Sequence, residues 1–215
     1  MYAGGVDDWE LMKFVLRVCK ERDEATTAGT GVWVAQGWAL TCAHVVDGLD
    51  RVWLFPAAGG SEVSAKVKAR SAPRPDGDRS QFWPFPDLAL LWAAEVGEHP
   101  VAPLHAVRPV LRVDCLLHGW GYGLREEGVV PAGSPVNASF VGSEGDSWLN
   151  LGSGFVKGGM SGAPLVDPMG RRVAGVVAMC RLGERSDGGY ASPMYALGDL
   201  GDTGEEVLQS NVEQA

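Results

Sequence analysis

Nowhere does the sequence contain the roughly 20 consecutive apolar residues that a membrane helix needs. Basic clusters are equally scarce. The chain has 18 Lys and Arg against 27 Asp and Glu, a formal charge of −9. Its densest basic stretch, residues 66–79, is interrupted by Pro73, Pro75, Asp76 and Asp78. Nucleic acid and anionic membranes are held by clustered Lys and Arg, so neither is expected as a partner. Cysteine is sparse too: Cys19, Cys42, Cys115 and Cys180 lie far apart without a CxxC pair. Zinc-ligand spacing is missing, and we expect free, mostly buried thiols with no metal or cofactor. The first ten residues are acidic where a secretory signal is basic, which makes the cytoplasm the expected location. No self-similar repeat is visible, which argues against propellers and solenoids.

What the chain has in abundance is turn formers. Its 30 glycines and 13 prolines, about one residue in five, are scattered without a period. Between them run short apolar or alternating segments, at residues 12–18, 31–35, 38–41, 51–55, 63–69 and 88–92. The second half continues with 115–118, 136–141, 148–151, 163–166, 173–180 and 190–194. In the first of these, Met12, Phe14, Leu16 and Val18 alternate with Lys13 and Arg17, a strand period, while Trp9 and Leu11 leave a short helix as the alternative. About twelve short strands with almost no helical period predict an all-β chain, sandwich or barrel. Residues 70–86 read as a long loop ending in the apolar anchor Phe82-Trp83-Pro84-Phe85-Pro86. After Leu200 we expect an acidic tail or linker, with one terminal helix as the alternative.

Three segments place a single reactive residue among apolar or glycine neighbours: Thr41-Cys42-Ala43-His44, Asp87-Leu88-Ala89-Leu90 and Lys157-Gly158-Gly159-Met160-Ser161-Gly162. Each alone is ordinary: a core histidine, a turn aspartate, a tight glycine turn. Together they hold a nucleophile, a base that can take its proton, and a carboxylate that fixes the tautomer of the base. The glycines before Ser161 let backbone N–H groups converge where an oxyanion forms. The order His, Asp, Ser, with gaps of 43 and 74 residues, differs from the subtilisin and α/β-hydrolase orders.

On these three segments, and on Gly119-Trp120-Gly121, the chain resembles the trypsin-like, chymotrypsin-fold serine peptidases of the bacterial intracellular kind. The resemblance runs from residue 12 to about 200. It implies two six-stranded antiparallel β-barrels, the first at 12–112 with His44 and Asp87, the second at 113–200 with Ser161. Residues 1–11 become an extension and 201–215 the tail. It implies a catalytic triad of His44, Asp87 and Ser161, an oxyanion hole from the Gly159 and Ser161 N–H groups, and endopeptidase activity on a protein or peptide substrate. Phe155, six residues before the serine, takes the pocket floor. Ala178, Met179 and Cys180 form one wall, and Gly189, Tyr190 and Ala191 the other. An apolar, shallow pocket suits small or medium apolar side chains, with Arg181 or Lys157 at the rim as the route to an acidic preference.

Met160 departs from the family pattern, in which an aspartate there pairs with a newly cut N-terminus. Activation by N-terminal trimming is therefore not expected. Two further readings stay open. One is a catalytically silent peptide-binding module on this fold. The other is an effector controlled by a regulatory sensor or NTPase module, as in bacterial defence-type proteins. His99, His105 and His118 have no ligand spacing and read as surface or core imidazoles.

Overall fold

The structure, a computed structural model, describes residues 8–75, 83–123, 132–143, 147–180 and 188–214. Twelve strands form two closed antiparallel barrels of six. The first contains β1 (Val15–Cys19), β2 (Thr27–Ala35), β3 (Trp38–Thr41), β4 (Arg51–Pro56), β5 (Val63–Arg70) and β6 (Ala89–Trp92). The second contains β7 (Leu116–Tyr122), β8 (Gly133–Ser143), β9 (Leu149–Phe155), β10 (Pro164–Asp167), β11 (Arg172–Cys180) and β12 (Gly189–Pro193). Around the barrels the orders are β1-β2-β3-β6-β5-β4 and β7-β8-β9-β12-β11-β10, the same path twice. Closure removes the unpaired edges that an open sheet exposes.

Each expected strand run lies on an observed strand, with ends shifted by a few residues. The first starts later than its apolar run. Asp8–Met12 forms a short helix, α1, whose Leu11 is fully buried, and β1 starts only at Val15. All five β1 residues are buried, so the alternation read from Lys13 and Arg17 does not mark a solvent face. Arg17 is 8% exposed, pairs with Glu24 and lies 4.5 Å from the Tyr122 ring, one tie between the barrels.

At the acidic C-terminus the structure takes the alternative of a terminal helix. Rather than a loose tail or linker, Asp202–Gln214 is a helix, α2, docked on the first barrel. Its packing face is small, with Gly204, Val207 and Asn211 buried. Asn211 is fully buried and uses its whole amide. Nδ2 donates to Val34 C=O at 2.6 Å and to Ala102 C=O at 2.8 Å, and Oδ1 accepts from Leu104 N–H at 3.0 Å. The helix is thereby bonded to β2 and to the connection between the barrels. A Cβ on Gly204 would lie 2.0 Å from Leu197 C=O, so only glycine permits this approach.

The turn from β2 to β3 rests on His99. Its ring stacks on Trp33, centroids 4.1 Å apart. Nδ1 donates to Pro100 C=O at 3.1 Å and Nε2 accepts from Gly37 N–H at 3.0 Å, an arrangement that needs the neutral ring. Burial pulls the His99 pKa below its ordinary 6.5, against a smaller opposing effect of the Pro100 carbonyl.

Two outcomes follow. Asn211→Ala strands three buried backbone groups and should lower unfolding stability by about 3 kcal/mol in urea titrations. For His99, the unfolded chain binds the proton at higher pH than the folded one. The stability from this site is complete above pH 6.5 and declines as the pH falls below it, toward the depressed folded value. Urea midpoints between pH 7.5 and 5 should fall more steeply for the wild type than for His99→Gln, which cannot titrate.

Candidate active site

Asp87 opens the approach to β6 and is completely buried, in left-handed backbone with φ +35°. Asp is among the residues that tolerate that region, and the loop holds it there from both sides. Asp87 N–H donates to Pro84 C=O at 3.0 Å, while Leu88 N–H donates to Ser71 Oγ at 3.2 Å and Ser71 N–H to Leu88 C=O at 2.9 Å. Both carboxylate oxygens meet His44. Oδ2 is 2.7 Å from Nδ1, and Oδ1 accepts the His44 backbone N–H at 3.1 Å. His44 stands in a 3-10 turn, Ala43–Val46, whose other residues are buried, leaving the imidazole a third exposed. With Nδ1 occupied by the carboxylate, Nε2 is the nitrogen free to accept a proton. Trp83, 7% exposed, stands at 6.4 Å from the imidazole, centroid to centroid.

Ser161 lies between β9 and β10, on the second barrel, and a buried threonine of the first barrel holds it. Thr30 on β2 donates its N–H to Ser161 C=O at 2.8 Å, accepts the Thr41 hydroxyl on its own C=O at 2.6 Å, and accepts Tyr122 N–H on Oγ1 at 2.9 Å. Gly162 follows at φ +88°, its N–H donating to Val177 C=O at 2.7 Å. A Cβ there would lie 1.9 Å from Thr30 C=O and 2.6 Å from Thr41 Oγ1. Cys42, two residues before His44, donates its thiol to the same Val177 carbonyl at 3.1 Å. A Cβ on Gly29 would touch both Val45 and Ser161 C=O. His44 and Ser161 are thus registered through shared neighbours. The Ser161 hydroxyl itself donates to Ala178 C=O at 3.4 Å rather than to His44, and catalytic hydrogen bonds are often slack before substrate arrives.

The loop before the serine is built around Met160, which is fully buried in the second core. Met160 N–H donates to Lys157 C=O at 3.2 Å and Lys157 N–H meets Met160 Sδ at 3.4 Å. The turn so closed has Gly159 at φ +86° in its third position, as a type II turn requires.

Of the pocket residues, Ala178 is buried with its carbonyl against the serine, and Met179 is half-buried. Phe155 ends β9, where its backbone pairs with Asn137, and Cys180 ends β11 opposite Gly189. The side chains of Phe155 and Cys180, and all of Arg181, lie outside the described residues. Gly189 and Ala191 are buried. Tyr190 sits edge-on to Trp148 at 6.4 Å, and Trp148 edge-on to Phe85 at 5.3 Å.

Cys42, His44 and Asp87 also bring three possible metal-ligand atoms within 4.8 Å of one another. Their chemistry does not suit an ion. Burial, and then the Asp87 charge, push the Cys42 thiol well above its ordinary value, keeping it protonated, and both Asp87 oxygens are engaged by His44. One contributor was missed in the sequence: Thr30, whose one sign is a lone threonine between glycines in an apolar strand. Ala178, expected in the pocket wall, also meets Ser161 through its carbonyl.

The trypsin-like peptidase domain family model matches residues 29–176. Among solved structures, the HtrA-type protease AlgW with a decapeptide is similar at 17% identity and TM-score 0.65, covering 96% of this chain and 68% of that one. A serine endoprotease from Yersinia pestis gives 18% identity and TM-score 0.66, covering 95% and 68%. The Rv3671c protease, in its inactive form, gives 20% and 0.64, covering 89% and 91%. No curated protein sequence matches. At these identities the structural likenesses establish the chymotrypsin-like fold.

The Gly162 contacts generate a test. Gly162→Ala combines left-handed strain with overlap against Thr30 and should cost on the order of 3 kcal/mol in urea unfolding. Gly48→Ala supplies the comparison. Gly48 has φ +71° but nothing within 4 Å of an added Cβ, so strain alone should cost about 1 kcal/mol.

Proposed function

The chain belongs to the trypsin-like peptidase family and is a serine endopeptidase, and we propose that His44, Asp87 and Ser161 are the triad through which it works. The observation that carries this is the His44–Asp87 pair: a fully buried carboxylate 2.7 Å from Nδ1, with Ser161 tied to the same barrel through Thr30.

In this reading the Ser161 hydroxyl leaves the Ala178 carbonyl and turns toward His44. Oγ attacks the scissile carbonyl carbon while its proton passes to Nε2, and Asp87 stabilises the imidazolium. The Gly159 and Ser161 N–H groups take the oxyanion, each lowering the acylation barrier by about 3 to 4 kcal/mol. The type II turn at Gly158-Gly159 supports that role. Collapse expels the amine, which leaves with the proton from His44. Water then attacks the acyl ester with His44 again as base, releasing the acid and restoring Ser161. β11 would receive the substrate backbone along Ala178, Met179 and Cys180.

We propose small or medium apolar side chains at the cleaved position. Phe155 stands where a carboxylate would select Arg or Lys, and Ala178, Gly189 and Ala191 are all short. The buried Met160 supports a loop that needs no new N-terminus. A partner or an attached sensor or NTPase module would then regulate access to the cleft rather than assembly of this loop. Free Cys19, Cys42 and Cys115 support a reducing compartment, in keeping with a cytoplasmic location.

A serine-directed fluorophosphonate tests the reading. Wild-type protein should be labelled at Ser161, by mass spectrometry, without prior cleavage. Ser161→Ala should not be labelled, and His44→Ala should react slower by orders of magnitude, since the members act as one unit. A folded wild type that stays unlabelled would favour the silent binding module. With chromogenic peptides, kcat/KM should be higher for Ala, Val or Leu than for Arg or Lys at the cleaved position.

A further inference from the structure

The basic stretch that looks broken in the linear sequence is sorted by the fold. On β5, Lys66, Lys68 and Arg70 are exposed, and Arg51 of β4 lies directly opposite Lys66. Arg51, Lys66 and Lys68, with Ser64, Trp92 and Glu95, line a groove of about 350 Å³. Among the described residues Glu95 is the single acid in that lining. Among the described residues Lys66 and Lys68 have no ion-pair or hydrogen-bond partner, and Arg51 donates to Ser64 Oγ at 2.7 Å. Like charges directly opposite on neighbouring strands destabilise a sheet. Here two such cations and a third stand together in a chain of net charge −9.

The strand also leads to the catalytic wall. Arg70, at its end, donates to Val46 C=O at 3.4 Å, in the turn that carries His44. Ser71 then accepts Leu88 N–H beside Asp87.

We propose that this groove is an exosite for an extended acidic segment of a protein. Charge complementarity selects the occupant. Alternate residues of an extended peptide are about 6.5 to 7 Å apart, so Glu or Asp at every second position can face Lys66 and Lys68, which both line the groove although β5 bulges between Val67 and Ala69. Trp92 offers an apolar face to an intervening side chain. A longer polyanion such as nucleic acid would run beyond the three cations into the field of a chain of charge −9. The term exosite rests on the endopeptidase reading; the binding does not.

The test uses the full chain carrying Ser161→Ala, which separates binding from turnover. The probe is a fluorescein-labelled decapeptide of alternating Glu and Val, followed by anisotropy. Binding is expected at low ionic strength, weakening at least about tenfold between 25 and 150 mM salt. Adding Lys66→Glu and Lys68→Glu should weaken it at least about tenfold, while Lys20→Glu with Arg171→Glu changes it less than about threefold. Should the first pair fail to fold, Lys66→Gln with Lys68→Gln replaces it, with a smaller loss expected. No binding, equal loss in both pairs, or tighter binding of a ten-residue oligothymidylate would overturn the proposal. With Ser161 restored, Lys66→Glu and Lys68→Glu should leave cleavage of a short uncharged substrate unchanged and slow cleavage of one with an acidic extension. A short substrate that nobody can see cleaved would count against the endopeptidase reading alone.

Discussion

The hydrogen bond from Thr30 N–H to Ser161 C=O joins two barrels that each carry part of the candidate site. Reactive groups have to be held to within about half an ångström to work together, and a base on one barrel has no intrinsic register with a nucleophile on the other. Thr30 supplies it with three polar groups at once, to the serine loop, to Thr41 beneath the histidine turn and to Tyr122 on β7. Gly162 lets this contact close, since any side chain there would displace the Thr30 carbonyl. Asp87 and His44 then need only be correct relative to each other, which the buried carboxylate ensures with both oxygens.

The fold was largely legible because strands announce themselves locally. Short apolar or alternating runs rich in Val, Leu and aromatic residues, cut by Gly, Pro and Asp, marked all twelve, and the candidate residues His44, Asp87 and Ser161 stand in short segments that single them out. What escaped depends on contacts distant in sequence. α2 is polar over most of its length and buries few side chains, so nothing in residues 202–214 distinguished a docked helix from a solvated tail. Its anchor, Asn211, meets groups more than 100 positions away. Likewise the prolines and aspartates after Arg70 concealed that Lys66 and Lys68 line one groove with Arg51, because strand pairing, and not the linear charge, decides which residues meet.

Met160 shows how one substitution in a motif changes the physics of a loop. An ion pair in this position depends on a chain end and weakens with salt. A buried methionine contributes ~1.5–3 kcal/mol of burial that depends on neither, and its sulfur caps the Lys157 N–H. The order of the turn is thereby a property of the second core itself.

The grip of Asn211 on Val34 carries a consequence for biosynthesis. Val34 belongs to the strand that bears Thr30, so β2 gains its last clamp from a residue translated long after it. At 5 to 20 residues per second, roughly ten seconds separate the emergence of Asp87 from that of Asn211. Throughout that interval β2 stands without this clamp, so the strand that registers the two barrels reaches its full set of hydrogen bonds only after the second barrel has been made.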